Sequence, residues 1–176
     1  MDLWEKLYQA AKKDYNPHYV TPFIYSNHVV AAIEAEDGQI FTGYCFEATS
    51  GVFHLCAERA AAFNMFQQSG QTTIKRIIAF RDKSPYGEGS GMTCGACREF
   101  LMQLSPKNKD LEFMLDYEKR ETITLGELMP LWWGTERMGA GVEDLRRLIT
   151  KRGIGCEIII YTHIFLMIQM RGLKII

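Results

Sequence analysis

The chain has 176 residues, of which 47% are hydrophobic and 23% are charged, and its formal net charge at pH 7 is −1. That length and hydrophobic content support one compact domain with a sizeable core and exclude an intrinsically disordered chain. The near-neutral balance gives no basic excess to neutralise a phosphate backbone, so we expect no nucleic-acid polymer as a partner.

The first predicted elements are a helix and a hairpin. Asp2, with a glutamate three residues later, has the spacing of a capping box and predicts a helix at the start of the chain. Residues 28–36 and 39–46 are rich in Val, Ile, Phe and Tyr, and they flank Asp37-Gly38, a dipeptide that accepts the positive φ of a tight turn. We therefore predict two antiparallel strands joined by that turn.

Helices and strands alternate in the middle of the sequence. The alanine-rich segment that starts at Cys56 is followed by Gly70, a residue that favours the end of a helix, and Pro106 ends a second helical segment. Apolar runs predict buried strands between and after these helices. The predicted elements are a helix at 56–68, a strand at 74–80, a helix at 97–104 and a strand at 111–117.

The C-terminal part is harder to interpret. Thr124 and Glu127 form a second possible capping box before a short helix, and we place the main domain at 1–135 and a C-terminal extension of unknown role at 136–176. The eleven-residue apolar run 158–168 is shorter than the roughly 20 residues that span a bilayer. A buried strand or an oligomer contact is expected there, and no membrane partner.

Two cysteine motifs carry the chemistry. Cys56 is followed two residues later by Glu58, and Cys94 is followed three residues later by Cys97. Three thiols hold a tetrahedral zinc ion with its fourth position open to water, whose pKa zinc lowers to near 7, whereas a closed structural site needs four ligands. A nearby carboxylate that is not a ligand is then free to carry protons, as in the zinc-dependent base deaminases.

Both motifs begin predicted helices, where backbone N–H groups and the helix dipole favour negative charge. Three thiolates and one Zn²⁺ carry a net charge of −1, which we expect to be offset by hydrogen bonds from Arg98 and, less strongly, from Arg59. His54 lies two residues before the first cysteine, where we expect packing or contact with a ligand and no metal bond. His28 has no partner that the sequence reveals. The glycine-rich segment 87–91 is expected to be a flexible loop beside the site.

The chain resembles the cytidine deaminase family, including its blasticidin S deaminase branch. The resemblance rests on Cys-Ala-Glu-Arg at 56–59 and Cys-Gly-Ala-Cys-Arg-Glu at 94–99, and it extends upstream through the hairpin at 29–43, covering about residues 20–130. It implies an α/β fold of three layers, α/β/α, around a mixed sheet of about five strands. It also implies a cytoplasmic homo-oligomer, a tetramer or a dimer, whose active sites border neighbouring subunits.

The resemblance further implies site roles and a reaction. Cys56, Cys94 and Cys97 would bind Zn²⁺, and Glu58 would move protons from water to ring N3 of a cytosine nucleoside and to the departing amine. The substrate-binding residues, listed here together, would be Glu47 at the sugar, the backbone of Ala57 at the pyrimidine, and Cys45. The products would be ammonia and the uracil compound.

Three positions depart from the family pattern. Cys45 stands where the family usually has Asn, which gives a ribose hydroxyl a poorer hydrogen-bond partner, and Asn27 aligns where many members have Phe. Thr93 replaces a usual Pro before the second motif. We therefore expect a modified nucleoside to be preferred, or cytidine to be accepted with a raised KM.

Two other classes of protein stay open. In one, the zinc is structural and the domain binds a nucleoside or a partner without turnover. In the other, Cys94 and Cys97 are a redox pair, although five cysteines, an odd number, suit a reducing cytoplasm better than a disulfide framework.

Overall fold

The computed structural model describes residues 2–137 of the chain. Its helices are α1 (Leu3–Lys12), α2 (Ala57–Ser69), α3 (Gly95–Leu104) and α4 (Leu125–Leu128). Its strands are β1 (His18–Thr21), β2 (Ile24–Ala35), β3 (Ile40–Ala48), β4 (Ile74–Phe80), β5 (Glu112–Asp116) and β6 (Glu121–Thr124). The apolar run 158–168 and most of the predicted extension lie outside the described residues.

The first helix is held by its cap and by one apolar face. The Asp2 side chain accepts a hydrogen bond of 2.7 Å from the backbone N–H of Glu5, so one free N–H group at the helix start has a partner. The carboxylate of Glu5 accepts a hydrogen bond from the hydroxyl of Tyr117, and not from the backbone N–H of Asp2 as a capping box would require. Leu7 and Ala11 are fully buried, which gives the helix the apolar face that its sequence predicts.

The predicted hairpin is formed by β2 and β3, which pair antiparallel around the turn at Gly38. Gly38 has φ +89°, a conformation that glycine adopts without strain, and this explains why the turn occurs at this dipeptide. β2 begins at Ile24, four residues before the predicted start. The register of the pair shifts at a bulge between Ser26 and Val30.

All six strands form one mixed sheet. β2 pairs antiparallel with β1, β3 and β4, β4 pairs parallel with β5, and β5 pairs antiparallel with β6. The mixed sheet is confirmed, with six strands in place of about five. β1 and β6 were not predicted, because each has only four residues and neither shows an alternation of buried and exposed side chains.

Helices cover both faces of the sheet, which confirms the predicted α/β fold. On one face Val30 and Ala32 pack in a core cluster with Leu7 of α1. On the other face α2 lies so close to β3 that a Cβ atom on Gly43 would come within 2.2 Å of the backbone nitrogen of Ala61. α3 packs beside α2. A residue with a side chain at position 43 would push α2 away from the sheet.

The described chain ends in a capped turn and a short 3₁₀ segment. The side chain of Thr124 accepts from the backbone N–H of Glu127 at 3.2 Å, and the Glu127 carboxylate accepts from the backbone N–H of Thr124 at 2.8 Å, which confirms the second capping box. The chain divides after Leu131 into two units, while the proposed domain boundary at 135 stays a prediction. Within residues 2–137 no helix is long and apolar enough to cross a membrane.

Candidate active site

Three cysteines meet where two helices begin. Cys56 is the N-cap residue of α2, Cys94 is the N-cap residue of α3, and Cys97 lies in the first turn of α3. The three sulfur atoms lie within 4.8 Å of one another. Cys94 Sγ is 3.8 Å from Cys56 Sγ and 3.5 Å from Cys97 Sγ. We call these residues the thiol cluster, and they are the three cysteines that the sequence predicts as ligands.

The spacing of the thiol cluster suits a tetrahedral metal ion. Zinc–sulfur bonds of about 2.3 Å at tetrahedral angles place two sulfur atoms about 3.8 Å apart. Two of the three separations, 3.8 and 3.5 Å, are close to that value, and the third is no longer than 4.8 Å. The cluster could therefore hold a metal through three thiolates.

Ionisation of the thiol cluster also calls for a cation. Burial raises the pKa of both Cys56 and Cys97, and the nearby carboxylate of Glu58 adds to the rise in each. Burial also opposes ionisation of Cys94, but hydrogen bonds from the backbone N–H of Cys97 and from the other two thiols outweigh it, so the pKa of Cys94 is lowered. Two of the three thiols thus have raised pKa values, and a divalent ion would hold all three as thiolates.

Glu58 is buried beside the thiol cluster. Its side chain lies in the first turn of α2, the residue is 5% exposed, and Oε2 is 4.0 Å from Cys97 Sγ. Burial raises the pKa of the Glu58 carboxyl, and hydrogen bonding to its own backbone N–H offsets the rise only in part. Thr93 is also buried, and its hydroxyl has no hydrogen bond of ordinary geometry to any described residue. A buried carboxyl whose pKa is raised is suited to take up a proton and release it again during a reaction.

The two arginines after the cysteine motifs differ in their contacts, and only Arg59 approaches a sulfur atom among the contacts observed. Arg59 Nη2 lies 4.0 Å from Cys56 Sγ and donates to the carbonyl oxygen of His54 at 3.2 Å. Arg98 Nε donates instead to the carbonyl oxygen of Thr93 at 2.9 Å. The expectation that Arg98 is the main partner of sulfur is wrong. Arg98 follows Cys97 within the first helical turn, and its side chain bonds to the backbone that leads into α3.

The thiol cluster opens into a cavity of about 500 Å³. This volume lies within the range of pockets that hold small organic ligands. Besides cysteines of the cluster, Ala57 and Glu58 line it from the helix side. Three polar residues from β2 and β3 line it from the sheet side: His28, Cys45 and Glu47. The structure thus brings every predicted site residue except Cys97 to one cavity. Cys97 is fully buried and does not line the cavity.

The three polar residues on the sheet side form a connected chain of contacts, which we call the polar chain. The backbone N–H of Val29 donates to Cys45 Sγ at 3.2 Å, and Cys45 Sγ lies 3.2 Å from His28 Nδ1. His28 Nε2 lies 3.2 Å from Glu47 Oε2. The ring of Tyr25 stacks on the His28 imidazole, with centroids 4.6 Å apart and planes at 21°. His28 is therefore held at both nitrogens and on one face of its ring.

The bulge in β2 is what places His28 in the polar chain. Ser26 pairs with Phe46 and Val30 with Tyr44, so four residue steps in β2 are set against two in β3. In a regular ladder His28 would lie opposite Tyr44 or Phe46, and its side chain would point away from the face that Cys45 and Glu47 share. The ladder is interrupted in the bulge, where Asn27 has φ +61°, and the irregular backbone there brings His28 to Cys45 and Glu47.

Comparisons with known proteins agree with this geometry. A cytidine deaminase from Sporosarcina psychrophila is 31% identical over 143 residues, which cover 80% of this chain and 98% of that protein. A blasticidin-S deaminase from Bacillus cereus is 31% identical over 112 residues, covering 60% of this chain and 76% of its own. No family model matches the chain. The chain belongs to the cytidine deaminase family.

A solved structure supports the same assignment at the level of the fold. The cytidine deaminase from Mycobacterium tuberculosis superimposes with a TM-score of 0.57 at 27% identity, covering 76% of this chain and 99% of that one. The predicted resemblance to the cytidine deaminase family is therefore confirmed.

Two of the departures from the cytidine deaminase pattern have visible surroundings. Asn27 has φ +61° in the bulge, and its side-chain amide donates to the carbonyl oxygen of Asp14 at 2.8 Å. The residue therefore stabilises the backbone conformation of the bulge. Cys45 is 6% exposed, and its thiol contacts Val29 and His28.

The glycine-rich loop lies beside the cavity, as predicted. Gly89 and Gly91 line the cavity and both have positive φ. A Cβ atom on Gly91 would lie 2.4 Å from the carbonyl oxygen of Ala79, so no other residue fits there. His54 also lines the cavity, and its Nε2 lies 2.6 Å from the carbonyl oxygen of Ala48. That contact agrees with a packing role for His54.

His28 is the site residue that the sequence did not reveal. The sequence shows no partner for it, and in the structure it contacts both Cys45 and Glu47. The signal was the hairpin turn at Gly38, which brings position 28 near positions 45 and 47. The bulge that selects its direction has no comparable signal, because it depends on contacts of both strands with the rest of the sheet.

Proposed function

We propose that this protein is a hydrolytic deaminase that uses a zinc ion to convert cytidine, deoxycytidine or a related cytosine nucleoside to the uracil product and ammonia. The observation that carries the proposal is the buried carboxylate of Glu58 beside three thiols whose sulfur atoms lie within 4.8 Å of one another at the edge of one cavity. The 31% identity to a cytidine deaminase supports it.

The metal and the carboxylate would divide the chemistry. Cys56, Cys94 and Cys97 would hold Zn²⁺, which when bound supplies a Lewis acid that makes water nucleophilic near pH 7. Glu58 would accept a proton from the attacking water and deliver it to ring N3. It would then take the remaining proton from the hydroxyl group added at C4 and give it to the amino group, which leaves C4 as ammonia while the C4 carbonyl forms. Water adds, ammonia leaves, and the ring becomes a uracil.

The surroundings of Glu58 support this proton transfer. Burial raises the pKa of the Glu58 carboxyl above its ordinary value, which favours uptake of a proton from water. The Arg59 guanidinium near Cys56 would offset part of the thiolate charge, which would restore some of the Lewis acidity of the ion.

The substrate would lie between the helix side and the sheet side of the cavity. The backbone of Ala57 would contact the pyrimidine, Glu47 would accept a hydrogen bond from a sugar hydroxyl, and Cys45 would belong to the same wall. A cavity of about 500 Å³ suits a small nucleoside rather than a polymer. The net charge of −1 agrees with a neutral substrate.

A blasticidin S-type deaminase is the second candidate, because a relative of that name is also 31% identical. The replacement of an expected Asn by Cys45 favours a substrate whose sugar differs from ribose. The reaction at C4 of the cytosine ring would be the same.

We further propose a cytoplasmic homo-oligomer, a tetramer or a dimer, that acts in pyrimidine salvage. Phe23, Val52 and Phe53 are large apolar residues that are 70%, 82% and 68% exposed, and the last two lie close in sequence to Cys56. Exposed apolar groups of this size favour contact with another copy. Analytical ultracentrifugation of the full chain tests this part, and a monomer at micromolar concentration contradicts it.

The reaction is tested by incubating purified protein with cytidine, deoxycytidine, blasticidin S and free cytosine. Loss of the ultraviolet band of the 4-amino ring and release of one ammonia per ring are expected for at least one nucleoside. The control is the Glu58→Gln protein loaded with the same amount of zinc. Tightly bound zinc without turnover of any of the four compounds would instead support a binding domain with structural zinc, and absence of zinc would favour a redox pair.

A further inference from the structure

We propose that His28 is a positioning residue that orients Glu47, and that the polar chain thereby sets the preference for substrates that carry sugar hydroxyls. The inference rests on the proposed function, since it assigns a task to His28 in the same site. The observation behind it is the unbroken series of contacts from the backbone of Val29 through Cys45 and His28 to Glu47.

The contacts of the polar chain lead from the backbone to the carboxylate. The backbone N–H of Val29 can only donate, so Cys45 Sγ accepts there. The same sulfur lies 3.2 Å from His28 Nδ1 and 3.6 Å from His28 Nε2, so the thiol contacts the imidazole at both nitrogens. A carboxylate can only accept, so the contact of 3.2 Å between His28 Nε2 and Glu47 Oε2 places a ring proton on Nε2. The chain of contacts therefore starts at a backbone donor and ends at the carboxylate of Glu47.

This arrangement prepares Glu47 before a ligand arrives. One carboxylate oxygen is engaged by His28, while the side chain is 50% exposed toward the cavity. An unrestrained glutamate on a strand would lose rotamer freedom when it binds a hydroxyl. A glutamate already held by an imidazole loses less, because His28 is itself fixed by Tyr25 and Cys45. The second oxygen is the acceptor for a sugar hydroxyl.

The same contacts give Cys45 a role that differs from a direct contact with substrate. Its thiol is committed to Val29 and His28, and the residue is 6% exposed. Cys45 therefore acts on the substrate through His28. A serine at position 45 keeps a polar hydrogen-bonding group beside the imidazole, whereas an alanine removes it and leaves His28 without this support.

The test compares cytidine with 2′,3′-dideoxycytidine, two nucleosides that share the base and differ in two sugar hydroxyls. The ratio of their kcat/KM values is measured for wild type, His28→Phe, Glu47→Ala and the double variant. Phenylalanine keeps the stack on Tyr25 but removes both nitrogen atoms. We expect His28→Phe to lower the ratio roughly fivefold, through KM for cytidine, with little change for the dideoxy compound. In the double variant the ratio should equal that of Glu47→Ala alone.

A second pair of variants checks the path through Cys45. Cys45→Ala should lower the ratio as His28→Phe does, whereas Cys45→Ser should keep the ratio close to that of wild type. The matched control is His18→Phe, a histidine on β1 whose ring contacts the carbonyl oxygen of Asn16, and it should leave the ratio unchanged. Equal losses for both nucleosides in His28→Phe would indicate a structural role and overturn the proposal. The proposal would also be overturned if the ratio in the double variant fell by the product of the two single-variant effects, because the two residues would then act independently.

Failure of the proposed function would be visible separately. If wild type deaminates neither nucleoside, that reaction is wrong, and the same four proteins are titrated with cytidine and 2′,3′-dideoxycytidine by calorimetry. The role of His28 would be supported if wild type binds cytidine more tightly than the dideoxy compound, if His28→Phe and Glu47→Ala each remove this preference, and if the double variant shows no further loss. Equal binding of the two nucleosides, or no binding of either, would refute it.

Discussion

The two sides of the cavity are built in different ways. The thiol cluster and Glu58 lie on the N-terminal turns of α2 and α3, at sequence spacings of two and three residues. The polar chain lies on β2 and β3, and its histidine and cysteine are 17 positions apart in the sequence. The helix side is therefore a local structure repeated at two helix starts, and the sheet side depends on how two strands pair.

The two carboxylates of the cavity differ in the same sense. Glu58 is 5% exposed and burial raises its pKa, whereas the Glu47 side chain is 50% exposed and meets His28. A buried carboxyl suits proton transfer, and an exposed, oriented one suits recognition of a hydroxyl. Variants that affect one side and spare the other can therefore test the comparison.

The largest effect is expected for Cys97→Ala. Removal of one ligand leaves two thiolates to hold the metal, so zinc, turnover and much of the stability should be lost together. Elemental analysis after dialysis measures the metal, and thermal unfolding measures the stability. Cys45→Ala is the matched control, a cysteine in the same cavity whose loss should leave the zinc content at one ion per chain. A fully loaded and active Cys97→Ala protein would remove the thiol cluster from the mechanism.

Glu58→Gln should keep zinc and fold while lowering kcat by roughly 10²–10⁴, because an amide cannot carry the proton. Steady-state ammonia release measures the loss, and metal analysis confirms that the site is intact. Glu47→Gln makes the same chemical change on the sheet side, and its kcat should fall far less. If Glu58→Gln keeps turnover within about threefold of wild type, another group moves the proton.

Glu47→Ala should lower kcat/KM for cytidine roughly tenfold or more and leave that for free cytosine nearly unchanged. The reason is that a charged acceptor to a hydroxyl contributes about 1.5–3 kcal/mol when desolvated, and only the nucleoside has the hydroxyl. Parallel assays of both substrates give the two values. Equal losses would mean that Glu47 supports the fold, and the distinction between the two sides would fail.

Gly43→Ala tests how the two sides are joined, because Gly43 lies on β3 where α2 packs against it. A Cβ atom would come within 2.2 Å of Ala61 N, so we expect a loss of about 1–3 kcal/mol in the free energy of unfolding, together with weaker zinc binding. Urea unfolding and a zinc competition assay measure the two effects. Gly51→Ala is the control, since nothing lies within 4 Å of its Cβ position. Unchanged zinc affinity in Gly43→Ala would show that the thiol cluster tolerates a shift of α2.

Tyr117→Phe should have the smallest effect and should spare both sides of the cavity. It removes the hydrogen bond to Glu5 on the α1 face of the sheet, and we expect the melting temperature to fall by a few degrees. Thermal unfolding at several pH values checks this, with kcat/KM for cytidine as the control for the cavity. A large loss of activity would show that α1 contributes to the site.

The pH dependence of that difference follows from the two pKa shifts. Burial and the contact with Glu5 raise the pKa of Tyr117 from 10 to about 12, so the advantage of wild type is complete below pH 10 and is lost as the pH rises toward 12. The hydrogen bond from Tyr117 lowers the pKa of Glu5 from its ordinary 4.5, so that share is present above pH 4.5 and disappears as the pH falls below it.

Prediction from the sequence succeeded where the signal was local. The strand Ile74–Phe80 has the predicted bounds, the helix that Gly70 ends stops at Ser69, and the caps at Asp2 and Thr124 are formed. Apolar runs, glycine ends and caps depend on neighbours within a few residues. The four-residue strands β1 and β6 were not predicted. They are strands because they pair with the longer strands β2 and β5, and their own sequences show no strand pattern.

The arginines show the same limit inside the site. Arg59 and Arg98 follow their motifs in the same way, yet one approaches sulfur and the other bonds to the backbone at Thr93. Which partner a long side chain reaches depends on the direction of the helix and on the groups packed around it. Sequence spacing alone does not distinguish the two.

The sequence alone places each cysteine motif and Glu58 at the start of a helix, because such a position depends on only a few neighbouring residues. Packing of α2 beside α3 brings the two motifs together, and strand pairing forms the polar chain. The irregular backbone of β2 between Ser26 and Val30 turns the side chain of His28 toward Cys45 and Glu47. The direction of a strand side chain reverses with each single-residue change of register, and the register is set by contacts across the whole sheet.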